Sequence, residues 1–329
     1  APRAATAGSG KAQMNLALFG GFGNQRPAAG RRRETAIAVL GGRQVKAPPG
    51  GGPEIRPPAA AAGTFAIGGE LRVNRMGLGA LRLAGARGAP RPGAARELLR
   101  EAVRLGVDLI DTARSYGRSE ELIADALHPY PEGLVIATKG GLAAGGARDG
   151  RPERLRAECE ESLRRLRLER IDLWQLHRID PRVPLEEQMG ALRDLRDEGK
   201  VRHVGLSEVT VPQLRRARGL TEVAAVQNRY SLADRGADDV VAECERAGIG
   251  FLPWFPLALG RLADAGGPVA RVAARRGATP AQVALAWLLH RSPVVLPIPG
   301  TGSVAHLREN VAAAGLALDD ADVAELEAG

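Results

Sequence analysis

Lysine is scarce in this chain of 329 residues: Lys11, Lys46, Lys139 and Lys200 stand against 42 Arg. Cysteine is scarcer still, with only Cys159 and Cys244. Two thiols in helix-like stretches (RAECEESL and VAECERAG) build neither a disulfide framework nor a Cys-rich metal site, and they are expected as half-buried structural thiols. Such usage suits a reducing compartment, so a cytoplasmic location is the expectation. No stretch approaches 18 uninterrupted apolar residues, which excludes a membrane-spanning helix. A Gly-x-Gly-x-x-Gly turn is missing as well. The nearest candidate, Gly77-Leu-Gly79-Ala-Leu-Arg82, lacks the third glycine that lets a helix approach the sheet of a Rossmann fold. Walker A, zinc-ligand and Gly-x-Ser-x-Gly patterns are absent too, and no metal site is expected.

What the chain does have is enough apolar material for a sizeable core: 44% of its residues are hydrophobic and 26% charged. Its net charge of +8 is concentrated at one end. Residues 1–63 hold nine Lys or Arg against Glu34 and Glu54, leaving 37 basic and 36 acidic residues in 64–329. A nearly neutral body argues against a nucleic-acid-binding face. Residues 1–63 are mostly Ala, Gly and Pro, as in APPGGGPEIRPPAAAAG, and predict a flexible, low-complexity basic extension. One serine, Ser9, and no continuous apolar segment before a cleavage site disfavour a targeting peptide; a basic tether is the alternative. The folded domain is expected over 64–329.

From Thr64 onward, TFAIGG followed by ELRVNR predicts a hairpin turning at Gly68 and Gly69. Eight short apolar runs follow: MGLGAL, VDLIDT, LVIATK, IDLWQLH, VRHVGLS, AAVQNRY, GFLPWFPL and VVLPIPG. Between them lie amphipathic stretches such as ARELLREAVRLG, RPERLRAECEESLRRLR and PLEEQMGALRDLRDEG, with apolar residues three and four apart. Continuous rather than alternating apolar strands suit a parallel sheet covered outside by helices. The expected fold is therefore α/β, a (β/α)8 TIM barrel with an N-terminal β-hairpin.

In such a barrel chemistry gathers at the carboxyl ends of the strands. Asp111 ends VDLIDT, Tyr116 follows in the loop ARSYG, Lys139 ends LVIATK and His177 ends IDLWQLH. Where Arg is the default cation, Lys139 suggests a need for a compact ammonium beside a carboxylate and a phenol. A buried Asp111–Lys139 pair without chemical role is the plain alternative. Taken together, the ammonium is expected to lower the phenol's pKa, Tyr116 to protonate a carbonyl oxygen, and His177 to hold that oxygen by a hydrogen bond. This describes hydride addition at a carbonyl carbon, with a cofactor supplying the electrons.

The ordered motifs DLIDTARSYG, ATKGG, LWQLH, GLSE, VQNRYS, WFPLALG and LPIPGTGSVAHLREN resemble the aldo-keto reductase superfamily, from about Thr64 to the C-terminus. They are most similar to bacterial reductases of the pyridoxal-reductase-like group. The resemblance implies an NADPH-dependent barrel enzyme acting on a small carbonyl compound, with Asp111, Tyr116, Lys139 and His177 as its catalytic tetrad. It places the cofactor against Gly79, Ala80 and Asp111, its carboxamide on Ser207, Glu208 and Gln227, and its ring on Trp254 and Phe255. It places the phosphates near Leu257, Gly260, Gly300, Thr301, Ser303 and His306, and the adenine near Glu309 and Asn310. Core packing for Trp254 and a plain helix cap for Ser303 are the structural alternatives.

Three departures stand out. Glu208 occupies a place usually held by Asn, and its charge is expected to weaken retention of the reduced cofactor. His306 replaces an Arg that pairs with the 2′-phosphate, which makes NADH more competitive. The loop YGRSEELI is shorter than in close relatives. Leu81, Arg82 and Phe255 are candidate pocket walls. Trp174 and Trp287 are expected in the core; His128, His203 and His290 are expected as packing or surface residues. A second reading is an NADPH-binding regulatory module similar to the barrel subunits of potassium channels; a third is a nucleic-acid binder acting through the basic extension.

Overall fold

Thr64–Ile67 (β1) and Leu71–Asn74 (β2) pair antiparallel, Thr64 opposite Asn74 and Ile67 opposite Leu71. The turn between them needs positive φ at Gly68 and Gly69, as the sequence predicts. The computed structural model describes residues 57–84, 89–143, 145–257 and 267–328. Within the segment assigned by composition to the extension, Pro58–Ala62 form a 3-10 turn. Ala59 is fully buried there and its N–H donates to the Leu105 carbonyl at 3.0 Å. Residues 1–56 lie outside the described residues.

The parallel sheet runs in chain order through β3 (Leu78–Gly79), β4 (Leu109–Asp111), β5 (Val135–Gly140), β6 (Ile171–Leu176), β7 (Val201–Ser207), β8 (Ala225–Gln227) and β9 (Gly250–Phe251). The run VVLPIPG takes the eighth place. Val295 bridges Phe251 and Gly300 bridges Gly79, both in parallel sense, so the sheet closes on itself. Pro297 and Pro299 cannot donate to a ladder, but their carbonyls accept from the N–H groups of Gly77 and Gly79 at 2.9 and 3.4 Å. The seam is tight: a Cβ on Gly79 would stand 2.7 Å from the Ile298 carbonyl oxygen.

Helices cover the outside: α1 (Pro92–Arg104), α2 (Ser119–Leu127), α3 (Pro152–Leu166), α4 (Leu185–Asp197), α5 (Val211–Arg218), α6 (Asp238–Ala247), α7 (Pro268–Arg276), α8 (Pro280–Arg291), α9 (Val304–Ala312) and α10 (Asp320–Glu327). Proline in the first turn of α1, α3, α5, α7 and α8 marks starts where a missing N–H costs nothing. Thr210 with Gln213, and Thr279 with Gln282, add reciprocal capping boxes to α5 and α8. None of the described helices is long and apolar enough to cross a membrane.

Two apolar layers result. Between sheet and helices lie Leu98, Leu99, Trp174 and Trp287, all fully buried. Cys159 and Cys244 join this layer and are fully rather than half buried; burial pushes each thiol up to about 12. Inside the barrel, Ile67, Leu71 and Val73 of the hairpin pack on Leu109, Val135, Leu173 and Leu296, which stoppers the amino-terminal end of the sheet. His203 lies beneath the hairpin turn, its Nε2 2.8 Å from Glu70 Oε1. His128 and His290 are exposed. The opposite end of the barrel, where the strands finish, is left for the site.

Candidate active site

Strand-end residues converge there on a cavity of about 960 Å³. Asp111 closes β4, and Lys139 stands on β5 beside it. The Lys139 ammonium donates to both Asp111 oxygens at 2.7 and 2.6 Å and to the Thr112 carbonyl at 2.8 Å. Asp111 Oδ1 also accepts from Gln227 Nε2 at 2.9 Å and Gln175 Nε2 at 3.2 Å. Every one of these side chains is buried, so the charges are paired and hydrogen-bonded as an apolar surround requires. Gly205 makes room for the network: a Cβ there would stand 2.7 Å from Gln175 Cγ.

Tyr116 sits over this pair, with its ring centroid 5.4 Å from Lys139 Nζ. The loop holding it is fixed at several points. Tyr116 N–H donates to the Ala113 carbonyl at 3.0 Å, and Gly117 adopts a left-handed conformation just after it. Thr112 Oγ1 bonds Ser119 Oγ at 2.9 Å, and Ser119 Oγ donates in turn to the Ala80 carbonyl at 3.3 Å. Ala80 is thus a backbone fastener, fully buried, while Gly79 beside it lines the cavity.

The net direction of the Tyr116 pKa corrects the sequence expectation. Burial raises it, and this outweighs the pull of the Lys139 and Arg178 cations. The phenol therefore keeps its proton through the neutral range. His177 faces it edge-on, with ring centroids 5.9 Å apart. Burial, then Lys139 and Arg178, lower the imidazole to about 2, so the ring is neutral. A neutral ring can present an N–H to an oxygen without adding charge.

Around this tetrad lie the residues expected to hold a cofactor. Ser207, Gln227, Trp254, Phe255, Leu257, Gly300, Thr301, Ser303 and His306 all line the cavity. Leu81 and Arg82, expected as walls, line it too. Ser303 caps α9, where free N–H groups and the helix dipole favour a phosphate. Hydroxyl and amide groups at one end, a flat indole beside them and a helix start at the other form a donor set that suits a dinucleotide.

Two expected contacts, Glu208 and Glu309, have other partners in the structure. Glu208 is absent from the cavity lining, and its Oε1 accepts from Trp254 Nε1 at 2.5 Å and Arg229 N–H at 2.7 Å. Glu309 Oε1 accepts from Thr279 Oγ1 at 2.6 Å, and Asn310 is buried on the same helix. Neither Glu309 nor Asn310 lines the cavity. Gly260 lies outside the described residues.

Sequence reasoning missed Gln175 and Arg178. Gln175 is a polar residue of the mostly apolar β6, two residues before His177, and alternation puts both on the inner face. Arg178 follows His177 directly; it lines the cavity and donates from Nη1 to the His177 carbonyl at 2.6 Å and to Ser207 Oγ at 2.9 Å.

The chain has relatives among known proteins. The model of the Aldo/keto reductase family matches residues 75–328. An uncharacterised oxidoreductase of Schizosaccharomyces pombe is 46% identical over 278 residues, covering 82% of this chain and 90% of that protein. Pyridoxine 4-dehydrogenase of Escherichia coli is 41% identical over 279 residues, covering 80% and 97%. Among solved structures, a glycerol dehydrogenase from Gluconobacter oxydans matches with TM-score 0.75 and 27% identity over 82% of this chain and 95% of that one. An aldo/keto reductase from Klebsiella pneumoniae in complex with NADP and acetate matches with TM-score 0.66 and 29% identity, covering 80% and 94%.

Proposed function

Because the chain belongs to the aldo/keto reductase family, we propose that it reduces an aldehyde or ketone to the alcohol with NADPH, Tyr116 giving the proton. The observation that carries this reading is the placement of Tyr116 between the Lys139–Asp111 pair and His177 at the head of the cavity. When bound, the cofactor supplies a hydride to the carbonyl carbon and leaves as NADP⁺.

The chain's own residues do the rest. Ser207 and Gln227 present polar groups to the carboxamide end, and Trp254 offers a flat face to the ring. His177 donates a hydrogen bond to the carbonyl oxygen and fixes its angle. As negative charge develops on that oxygen, the Tyr116 proton moves to it, and Lys139 stabilises the phenolate left behind. Asp111, gripped by Gln175 and Gln227, holds the ammonium in place. The closed hairpin end keeps bulk water from reaching this layer from below. The alcohol and NADP⁺ are the products, and the proton lost by Tyr116 is regained from solvent.

The buried free thiols Cys159 and Cys244 support a cytoplasmic location. Pyridoxine, named in the E. coli relative, and its aldehyde pyridoxal belong in the substrate panel. Tyr116→Phe tests the reading: cofactor binding persists while carbonyl reduction, followed by loss of NADPH absorbance, falls at least ~100-fold. Substantial turnover in that variant overturns the acid assignment. Tight NADPH binding by the unmodified protein without turnover of any carbonyl compound favours the regulatory reading.

A further inference from the structure

The Arg178 side chain raises a question that the reductase chemistry leaves open. It is partly buried, and burial lowers its pKa. Only its Nη1 has hydrogen-bond acceptors among the described residues, the His177 carbonyl and Ser207 Oγ. No carboxylate among the described residues lies within ion-pair distance of it. Glu208, whose charge favours the cation from further off, spends one oxygen on Trp254 and Arg229. The remaining guanidinium N–H groups thus have no partners among the described residues, on a cation that lines the cavity.

This is costly unless a ligand completes it, because a cation withdrawn from water needs a counter-charge or acceptors. Other charges among the described residues of the cavity wall do not provide one. Asp111 is neutralised by Lys139, and Arg82 is a second cation. The cofactor does not provide one either, on the reading above. Its phosphates belong near Gly300–Ser303, whereas Arg178 stands with His177 and Ser207 at the hydride end, where the reduced ring is uncharged. Among the described residues no carboxylate pairs with Arg178 directly, so the other reactant is the natural source of such an anion.

We propose that Arg178 determines substrate specificity, selecting carbonyl compounds that carry an oxyanion, a carboxylate or a phosphate, close to the carbonyl group. Its planar fork suits two oxygens of such a group, and the Nη1 bonds to His177 and Ser207 hold the fork still. His177 then takes the carbonyl oxygen while the adjacent Arg178 takes the anion, so two neighbouring residues set the substrate's orientation. The proposal rests on the reductase reading and refines it.

Matched substrates test it: benzaldehyde against 2-carboxybenzaldehyde, methyl phenylglyoxylate against phenylglyoxylate, and pyridoxal against pyridoxal 5′-phosphate. The first two pairs isolate a carboxylate and the third a phosphate. With NADPH, the unmodified enzyme is expected to favour at least one anionic form by 10-fold or more in kcat/KM (about 10, the lower end for a charged hydrogen bond). Arg178→Met should shrink that preference by roughly 30-fold, mainly through KM of the anionic member, and Arg178→Lys should fall between. The ratio within each variant cancels any general loss from loosening Ser207 or from reduced folding. Benzoate should also inhibit the unmodified enzyme competitively against benzaldehyde, and more weakly after Arg178→Met. Preference for the neutral member in all three pairs overturns the proposal, as does a ratio that Arg178→Met leaves unchanged. Failure to reduce any member of any pair overturns the reductase reading and this one with it.

Discussion

Glu208 Oε1 accepts the indole N–H of Trp254 at 2.5 Å, and Glu208 itself sits in a left-handed backbone conformation with φ 57°. The carboxylate thus acts on the cofactor site through the indole it holds. Glu208→Ala should release Trp254 and weaken NADPH binding by ~10-fold, about the value of one hydrogen bond to a charged acceptor. Glu208→Gln, whose amide oxygen can still accept from the indole, should restore most of that. Titration of Trp fluorescence with NADPH checks both, and equal binding in all three proteins would show that the indole does not need its clamp.

The pH dependence follows from two opposite shifts. Tyr116 is raised by burial, so its proton is in place through the neutral range and leaves only under alkaline conditions. His177 is lowered to about 2 and does not titrate between pH 5 and 9. Carbonyl reduction should therefore be flat across that range, with no step near the usual histidine value of ~6.5, and should fall in strong alkali. Alcohol oxidation, which needs the phenolate to accept a proton, should rise with pH. Profiles of kcat/KM in both directions measure this. A step near pH 6.5 that disappears in His177→Gln would contradict the neutral imidazole.

Stability has its own pH term at the other end of the barrel. Asp108 accepts from Asn74 N–H at 2.8 Å, and burial pushes its carboxyl up to about 6 from 3.8. The folded form holds this proton more tightly than the unfolded chain, so the contribution is fully present below pH 3.8 and is lost as pH rises through 6. Because Asp108 is partly exposed, ~1–2 kcal/mol is the appropriate scale. Asp108→Asn keeps an acceptor for Asn74 and removes the charge. The variant should match the unmodified protein near pH 4 and melt roughly 2–6 °C higher at pH 8, by circular dichroism. A gap that does not change with pH would rule out Asp108 as its source.

Cofactor choice should respond to His306, which is exposed and lines the cavity near the start of α9. His306→Arg introduces a permanent charge and a planar fork toward a 2′-phosphate. NADPH affinity should rise by ~10-fold with NADH little changed, as read from KM for each nucleotide. A parallel change for both would place the 2′-phosphate elsewhere.

Much of this architecture was legible because it is local. Two short runs meeting at a pair of glycines announced β1 and β2, and apolar runs marked the sheet even where β3 and β9 are only two residues long. The tetrad was legible because strand ends in a parallel barrel point to one place. What escaped depends on distances through space. Alanines 59 and 62 carry no pattern that distinguishes a packed turn from a tail, yet both are buried. Whether Glu208 meets a ligand or the Trp254 indole depends on two strands' relative heights. The Tyr116 pKa turns on desolvation, and a sequence shows the neighbouring ammonium but not the missing water.

The hairpin that stoppers the barrel beneath Leu109 and Leu173 has a kinetic meaning. With that end shut, both reactants are expected to enter from the side where the strands finish, and the one whose reactive part lies deepest should enter first. The nucleotide should then be on first and off last, with NADP⁺ inhibiting competitively against NADPH and the alcohol product not doing so in product-inhibition kinetics. The floor of the vessel, far from any reacting atom, dictates the queue at its mouth.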